Sequence, residues 1–323
     1  MPRLECDGRE VPLAEGESVL DALLRAGVEV ASSCRAGACQ SCLVRVTSGA
    51  VPARAQAGLK ETLRARGFAL ACQIVPETAL AISLEGKSDL EVAARVEAVD
   101  RLAADVLCVR LRSETELAYR AGQFVTLLRS DGLARAYSLA SRPADGQSLE
   151  LHVRVVAGGR MSNWLATEAT GASVRLRGPA GDCFYTSTDA EQPLVLAGAG
   201  TGLAPLWGIL RDALAAGHRG AIQLWHGARD VEGLYLRAEL AQLSREHPHF
   251  SYHPCALAGD EAGELRIGRL DELLLRAVPS YARQRFYLCG DAPLVQGLKR
   301  KLFLQGAPLR EIFADAFLGA SAP

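Results

Sequence analysis

The stretch Cys34–Cys42, CRAGACQSC, decides how the first part of the chain folds. Its three cysteines follow the spacing C-x4-C-x2-C, and a fourth, Cys72, lies in the apolar segment FALACQI. Four thiolates that converge from a loop of small residues suit a core of two iron atoms, and this spacing is typical of 2Fe-2S sites. Gly37 can adopt the positive φ that lets backbone amides turn toward sulfur. We therefore expect an iron-sulfur cluster here.

Two other interpretations of these cysteines compete with the cluster. A structural zinc site usually takes its ligands as two C-x2-C pairs, whereas only Cys39 and Cys42 form such a pair. A disulfide framework is disfavoured because the total of nine cysteines is odd and nothing in the sequence indicates export. Residues 1–88 resemble a plant-type ferredoxin module. That resemblance implies a β-grasp fold whose iron ligands are Cys34, Cys39, Cys42 and Cys72.

Length and composition bound the class of protein. The chain has 323 residues, 49% of them hydrophobic, and a net charge of -1, so we expect several globular domains and no nucleic-acid partner. The longest apolar run, residues 194–210, contains four glycines and a proline, which argues against membrane insertion. The segment MPRLECDGRE has no apolar h-region, and unpaired cysteines persist in a reducing compartment. We expect a cytoplasmic protein.

Local signals in the first module predict its elements. Asp7-Gly8 predicts a hairpin turn, and Ser18 is a good N-cap for the helical segment that follows. Cys6, within the hairpin, is expected to be a small buried hydrophobe. The polar segment EGKSDLE, residues 85–91, predicts a linker to the next domain.

Residues 92–190 contain repeated short strands separated by turns, which predicts an antiparallel β-barrel, and Cys108 on one of these strands is expected to serve in core packing. Within it, the segment RAYS at 135–138 resembles the R-x-Y-S/T motif of the ferredoxin-NADP reductase superfamily. A guanidinium can bind a pyrophosphate, a tyrosine ring can stack on a flavin, and a hydroxyl can reach a flavin ring nitrogen. The resemblance implies that this barrel binds FAD through Arg135, Tyr137 and Ser138.

A second barrel motif begins at two glycines that precede a predicted helix. Glycines at a helix start leave N–H groups directed at an anionic phosphate. In the superfamily a G-x-x-S segment holds the FAD pyrophosphate, which implies that role here for Gly159, Arg160, Met161 and Ser162. The preceding strand implies flavin-bordering positions at His152, Val153 and Arg154. Residues 178–184, GPAGDCF, resemble the family's G-P-x-G-x-F segment but contain one extra residue, Cys183, whose role stays open.

Residues 191–323 alternate strands and helices, which predicts a doubly wound parallel sheet, and the resemblance to the superfamily implies that this sheet binds NAD. Its first strand runs into a turn similar to the G-x-G-x-G/S-x-x-P version in nicotinamide domains of this superfamily. Glycines there let a dinucleotide pyrophosphate approach the positive end of a helix. The resemblance implies nucleotide contacts at Gly198, Gly200, Thr201 and Gly202. Arg229 follows the second strand, where the adenosine ribose is expected.

Two further segments complete the expected hydride site. The segment CGD resembles the family's C-G motif beside the nicotinamide, and it implies cofactor contacts at Cys289, Gly290 and Asp291. IFADAF resembles the acid-x-aromatic ending of oxygenase reductases, in which the carboxylate lies near the motif serine and cysteine and the ring covers the flavin. The expected catalytic residues are Ser138, Cys289, Asp315 and Phe317.

The order of the modules predicts the function. A pyridine nucleotide delivers two electrons as hydride, whereas a 2Fe-2S cluster accepts one at a time, so a flavin must stand between them. Throughout its length the chain resembles the electron-transfer reductases of bacterial oxygenases. This resemblance implies electron flow from NADH through FAD and the cluster to an oxygenase component or another one-electron protein acceptor.

Three alternatives stay open at this point. NADPH is the alternative nucleotide, because Arg229 could bind a 2′-phosphate although Asp230 and Glu232 would repel it. A deoxysugar-type reductase that feeds a pyridoxamine-dependent dehydratase shares the architecture. A zinc-binding scaffold is the non-enzyme alternative.

Overall fold

Three β-sheets follow one another along the chain in the computed structural model of this protein. The structure describes residues 3–85, 90–186, 189–277 and 280–318. The expected linker at residues 85–91 falls mostly on 86–89, which lie outside the described residues. The described parts of the chain contain no helix that is long and apolar enough to cross a membrane.

The first sheet has the β-grasp arrangement. Its elements are β1 (Leu4–Cys6), β2 (Arg9–Val11), α1 (Val19–Arg25), β3 (Leu43–Ser48), α2 (Glu61–Ala65), β4 (Phe68–Leu70) and β5 (Leu80–Ser83). The strand order is β2-β1-β5-β3-β4, with β1 and β5 parallel. The predicted hairpin is present because Asp7 and Gly8 both adopt positive φ. Ser18 caps α1, since its Oγ accepts the N–H of Asp21 at 3.2 Å, and Cys6 is buried in the core.

The second sheet closes into the predicted antiparallel barrel. Its elements are β6 (Glu91–Ala103), β7 (Val106–Ser113), β8 (Phe124–Leu128), β9 (Ala134–Ser138), β10 (Ser148–Arg154), α3 (Arg160–Thr167) and β11 (Ser173–Ala180). The strand order is β10-β7-β6-β11-β8-β9, and a bridge between Leu139 and Leu151 joins the two edges. Cys108 is buried, as expected for core packing, and it lies on the outer face of β7, opposite His152 in register.

The third sheet is parallel and doubly wound, as predicted. Its elements are β12 (Leu194–Ala199), α4 (Leu203–Ala215), β13 (Ile222–Ala228), α5 (Arg237–Glu246), β14 (Phe250–Ala256), β15 (Arg266–Ile267), α6 (Leu270–Ala277), β16 (Arg285–Asp291), α7 (Ala292–Leu304) and β17 (Ile312–Phe317). The strand order is β15-β14-β13-β12-β16-β17. Successive residues of β12 enter separate core clusters on the two faces, which explains why this strand is continuously apolar.

The barrel contacts both of the other sheets through its outer surface. On one side, the Thr126 Oγ1 donates a hydrogen bond of 2.9 Å to the carbonyl of Cys39 in the cysteine loop. On another side, His152 Nδ1 lies 3.1 Å from the hydroxyl of Tyr235, which belongs to the parallel-sheet region. The barrel therefore brings the cysteine loop and the carboxyl ends of the parallel strands to a common space.

Candidate functional site

The cysteine loop connects α1 to β3, and the fourth cysteine lies in the turn after β4. Gly37 has φ of 80°, as expected, and a Cβ at this position would lie 2.9 Å from the Cγ of Gln73. Arg35 and Gln40 also have positive φ, at 53° and 56°. Three positive-φ residues in one short segment curl the loop tightly and turn its amides inward.

Hydrogen-bond donors surround the sulfurs of this loop. The Sγ of Cys34 accepts the N–H groups of Ala36 and Cys39, each at 3.4 Å. The Sγ of Cys39 accepts the Ser41 hydroxyl at 3.2 Å, and the Gln73 side-chain amide lies 3.5 Å from the Sγ of Cys72. Donors of this kind stabilise the negative charge of thiolates that bind iron.

The four sulfurs form two pairs, Cys34 with Cys39 and Cys42 with Cys72. Hydrogen bonding within each pair lowers the pKa of Cys34 to about 5 and the pKa of Cys72 to about 6. No three of these sulfurs, all of which belong to described residues, lie within 4.8 Å of one another. One tetrahedral zinc ion with Zn–S bonds of about 2.3 Å would hold all four within about 3.8 Å. Two pairs fit the two iron atoms of a 2Fe-2S cluster and do not fit zinc.

A cavity of about 1050 Å³ joins this loop to the barrel and the parallel sheet. Ser33, Cys34, Ala38 and Cys39 line one end, and Arg229 lines another part. Its volume lies slightly above the range of about 300–1000 Å³ for sites of single small ligands. The cavity has room for extended ligands that reach from the nucleotide sheet to the cysteine loop.

The β9 motif lies in the wall of this cavity, with Arg135, Tyr137 and Ser138 all lining it. The guanidinium of Arg135 donates to the carbonyl of Ala134 at 2.7 Å. Burial raises the pKa of Tyr137, which keeps the phenol neutral beside any bound ring. A neutral aromatic ring, a cation and a hydroxyl on one short strand suit a flavin with its pyrophosphate.

The hydroxyl of Ser138 donates a hydrogen bond of 2.7 Å to the Oδ2 of Asp315 on β17. Burial raises the pKa of this carboxyl to about 6, although the bond from Ser138 opposes the shift. Asp315 is also the register partner of Cys289 on the neighbouring strand β16. Ser138, Cys289 and Asp315, which are far apart in the sequence, thus lie close together, as the resemblance of their motifs implied.

Cys289 itself does not reach the cavity surface. It is fully buried, and its Sγ lies 3.6 Å from the Sγ of Cys183, the extra residue of the barrel-closing segment. Asp291 and Phe317 line the cavity, whereas Gly290, with φ of 134°, packs against the backbone of Ala199. The structure therefore gives Cys183 a place, in contact with the thiol of the nicotinamide motif.

The glycine turn before α3 also lies at the cavity. Gly159 is the N-cap of α3, and a Cβ there would lie 2.6 Å from the Ser162 Oγ. The same hydroxyl accepts the N–H of Val156 at 3.1 Å and so fixes the turn. The cavity wall in this region consists of Val156, Gly159, Arg160, Met161 and Ser162. Helix N-terminal amides beside a guanidinium form a suitable phosphate site.

The strand before that turn divides its residues between two environments. His152 and Arg154 line the cavity, whereas Val153 packs inside the barrel core. His152 is held between Glu150, whose carboxylate lies 2.8 Å from its Nε2, and the Tyr235 hydroxyl. Alternation along a strand explains the difference, because successive side chains point to opposite faces.

The four glycine-turn residues of the parallel sheet have two different tasks. A Cβ at Gly198 would lie 2.8 Å from the carbonyl oxygen of Cys289, and one at Gly202 would lie 2.3 Å from it. These two glycines let the turn pack on β16. Gly200, with φ of 54°, and Thr201 line the cavity and are the ones available to a ligand.

Cationic side chains from the parallel-sheet region also line the cavity. Arg229 was expected there, whereas no sequence motif predicted Arg269 and Lys301. Both of these bind Asp271, and although burial raises the pKa of this carboxyl, their hydrogen bonds lower it below its usual value. The only signal for these two residues in the sequence was that they are basic, and the chain has 36 lysines and arginines.

Comparison with known protein families assigns all three regions. Residues 3–77 match the 2Fe-2S iron-sulfur cluster binding domain, residues 93–185 match the oxidoreductase FAD-binding domain, and residues 196–300 match the oxidoreductase NAD-binding domain. The fold and the site thus define an oxidoreductase of the ferredoxin-NADP reductase superfamily that holds FAD, NAD(H) and a 2Fe-2S cluster.

Full-length relatives narrow this class. The chain is 31% identical to the ferredoxin–NAD(P)+ reductase component of the naphthalene 1,2-dioxygenase system of Pseudomonas putida, over 97% of both chains. It is 34% identical to the reductase subunit of an aromatic O-demethylase of Amycolatopsis sp., over 97% of this chain and 98% of that one. The chain belongs to this family of electron-transfer reductases with an N-terminal 2Fe-2S domain.

Solved structures agree with this assignment. An Amycolatopsis cytochrome P450 reductase shares 33% identity and aligns over 99% of this chain and 100% of that one, with a TM-score of 0.71. A ferredoxin reductase of carbazole 1,9a-dioxygenase, at 24% identity, shares the fold over 98% of both chains with a TM-score of 0.68.

Proposed function

We propose that this chain takes hydride from NADH, passes the electrons through FAD to its 2Fe-2S cluster, and delivers them singly to an oxygenase component. One observation supports this order above all others. A single cavity is lined by the glycine turn of the nucleotide sheet, by the flavin motif of β9 and by two of the four cluster cysteines. A flavin in that cavity would lie between the two-electron donor and the one-electron acceptor.

The site residues are proposed in three groups. The cluster ligands are Cys34, Cys39, Cys42 and Cys72. The FAD-binding residues are Arg135, Tyr137, Ser138, His152, Arg154, Gly159, Arg160, Met161, Ser162 and Phe317. The nucleotide-binding residues are Gly200, Thr201, Arg229 and Asp291, to which the cavity wall adds Arg269 and Lys301. Gly198, Gly202, Gly290 and Val153 support the site from behind, because their surroundings are protein atoms.

The proposed hydride site consists of Ser138 and Asp315, with Cys289 behind them. An ionised Asp315 accepts a hydrogen bond from the Ser138 hydroxyl and therefore directs the lone pairs of the serine oxygen into the cavity. FAD, when bound, would accept the hydride, and the oriented Ser138 hydroxyl would lie beside the edge of the flavin ring that reacts. We propose domains at residues 1–88, 92–190 and 191–323 for the three steps.

An oxygenase acceptor is supported by the relatives. The naphthalene dioxygenase and aromatic O-demethylase reductases align with this chain over nearly their full lengths. A protein acceptor would meet the exposed side of the cluster loop near Arg35, whose side chain is 33% exposed. Retention of buried thiols at Cys6 and Cys255 suits the reducing cytoplasm.

NADH is the proposed donor. Arg229 lines the cavity, but Asp230 and Glu232 follow it closely in sequence and would oppose a 2′-phosphate. Steady-state assays with both nucleotides should give the higher kcat/KM for NADH. A higher kcat/KM for NADPH would refute this choice.

The order of electron flow is tested by mixing the anaerobic holoenzyme with NADH in a stopped-flow instrument. Flavin absorbance should bleach first, and the electron paramagnetic resonance signal of the reduced cluster should follow. Oxygenase components encoded near this gene should then reoxidise the cluster. A cluster that stays oxidised while the flavin is reduced would contradict the proposal.

A further inference from the structure

We propose that Thr126 and Arg177 are positioning residues that hold the cluster loop against the flavin cavity and thereby set the rate of electron transfer to the cluster. The inference rests on the proposed order of electron flow. Each transfer moves one electron from reduced FAD to a ferric ion of the cluster, which becomes ferrous. No other reactant is needed.

Thr126 is a polar residue at a position where the surrounding strand is apolar. Its neighbours Val125 and Leu127 point into the barrel core, so the threonine points outward. The side chain is only 2% exposed, and a buried hydroxyl requires a hydrogen-bond partner. Its partner is the carbonyl oxygen of Cys39, 2.9 Å away and 87 residues distant in sequence.

Arg177 makes the second contact to the same loop. It lies directly opposite Thr126 in the pairing of β8 with β11, and side chains at paired positions point the same way. Its Nη1 donates to the carbonyl of Ser41 at 2.9 Å. Its Nη2 donates to Glu91, which is its register partner on β6 and is buried with it. A row across three adjacent strands, Glu91, Arg177 and Thr126, therefore supports the loop.

Both contacts lie within the C-x2-C segment, at the point where the loop meets the cavity. The carbonyls that they bind belong to Cys39, whose side chain lines the cavity, and to Ser41, whose hydroxyl donates to the Cys39 sulfur. The barrel thus contacts the loop through backbone oxygens and leaves the sulfur hydrogen bonds intact. Because electron transfer slows exponentially with distance, the position of this loop controls the rate without changing the cluster's reduction potential.

The test compares Thr126→Val, which keeps the shape but lacks the hydroxyl, with Thr126→Ser, which keeps the hydroxyl. Both are prepared as holoenzymes with measured iron and FAD contents and mixed with NADH under anaerobic conditions. In Thr126→Val we expect cluster reduction to slow several-fold, because a small displacement of the loop lengthens the path for electron transfer. Flavin reduction and the cluster potential should match the parent, and Thr126→Ser should behave as the parent does.

A readout that does not depend on activity is hydrogen exchange. Amides of the loop at residues 34–42 should exchange faster in Thr126→Val than in Thr126→Ser, while those of strand 194–199 should not change. The double variant Glu91→Gln/Arg177→Met removes the second contact without leaving a buried charge unpaired, and it should slow cluster reduction in the same way.

Three results would overturn the proposal: parental cluster reduction in Thr126→Val and in the double variant, equal slowing in Thr126→Ser, or slowing explained by a shifted cluster potential. Failure of the proposed function would look different. In that case, the parent protein itself would reduce its flavin and leave its cluster oxidised.

Discussion

The cysteine loop and the nucleotide cavity are assembled in opposite ways. All four proposed cluster ligands come from residues 34–72, where local backbone turns and hydrogen bonds to sulfur shape the loop, and two barrel residues, Thr126 and Arg177, support it from outside. The cavity takes its lining from residues 33–318, and it exists only where the barrel, the parallel sheet and the cysteine loop meet. A site of local contacts can be altered without affecting distant parts, whereas a site between sheets responds to changes in packing behind it.

The largest expected effect is the loss of the cluster without loss of the flavin site. Cys39→Ser removes one of four thiolates and should prevent normal cluster assembly, while the barrel and the parallel sheet should stay folded. FAD should remain bound, and NADH-dependent reduction of ferricyanide should persist. Reduction of cytochrome c or of the oxygenase should fall to background, as measured by absorbance.

Parental reduction of a protein acceptor by Cys39→Ser would mean that the flavin passes electrons on directly. The independence of the two sites would also fail if this variant lost its FAD. Iron and flavin contents measured on the same sample distinguish these cases.

The second prediction concerns packing behind the cavity. Gly202→Ala places a Cβ 2.3 Å from the carbonyl oxygen of Cys289, so the turn or β16 must move. We expect a loss of stability of about 1–3 kcal/mol, as for other overpacked sites, together with a raised KM for NADH. The electron paramagnetic resonance spectrum of the reduced cluster should not change. Thermal unfolding and steady-state kinetics provide the measurements.

Gly297→Ala is the matched control for stability, because a Cβ on this helical glycine, which lines the cavity, meets no atom within 4 Å. Alanine in a helix interior should stabilise the protein by about 0.5–1 kcal/mol relative to glycine. Equal changes in stability for Gly202→Ala and Gly297→Ala would contradict the distinction between glycines packed against protein atoms and glycines with open space around them.

The third prediction uses the titration of Asp315. Burial raises the pKa of this carboxyl to about 6, so below pH 6 it is mostly protonated and is a weaker acceptor for the Ser138 hydroxyl. Flavin reduction by NADH should slow several-fold as the pH falls through 6. Asp315→Asn should be slow at every pH and should lose this step in the profile. Asp291→Asn, which alters another carboxylate of the cavity wall, should retain it.

The same shift has a consequence for stability. Since the folded state holds this proton more tightly than the unfolded chain, the stabilising contribution of the protonated carboxyl is lost as the pH rises through 6. Asp315→Asn should therefore raise the melting temperature at pH 7.5 by more than at pH 5. An equal change at both pH values would contradict the assigned pKa.

The smallest expected effect concerns the buried thiol pair. Cys289→Ala should slow flavin reduction a few-fold and leave FAD bound, because only contacts behind the hydride site are lost. Cys183→Ala removes the other sulfur of the pair, which lies outside the strands that carry Cys289 and Asp315, and it should slow flavin reduction less. Identical single-turnover rates for the parent and Cys289→Ala would show that this thiol has no part in the hydride step.

Sequence motifs predicted the three-sheet fold because each sheet leaves a local signature. Short alternating strands indicated the barrel, and an apolar strand followed by glycines and a helix indicated the parallel sheet. Both signatures depend on side-chain periodicity, which is a property of neighbouring residues. The burial of Cys108 was predicted from its residue type, but the face of β7 on which it lies was not, because a buried cysteine can face either side of a strand.

The sequence by itself determined the cysteine loop, the β9 motif and the glycine turn, since their chemistry depends on residues that are close along the chain. Only the tertiary structure decided that Gly198 and Gly202 support the turn while Gly200 and Thr201 face the cavity, and that Arg269 and Lys301 complete its wall. It also brought Thr126 and Arg177 to the cluster loop, through contacts that span 87 and 136 residues. Such contacts follow from how three separately folded sheets pack, and no local pattern in the chain encodes that packing.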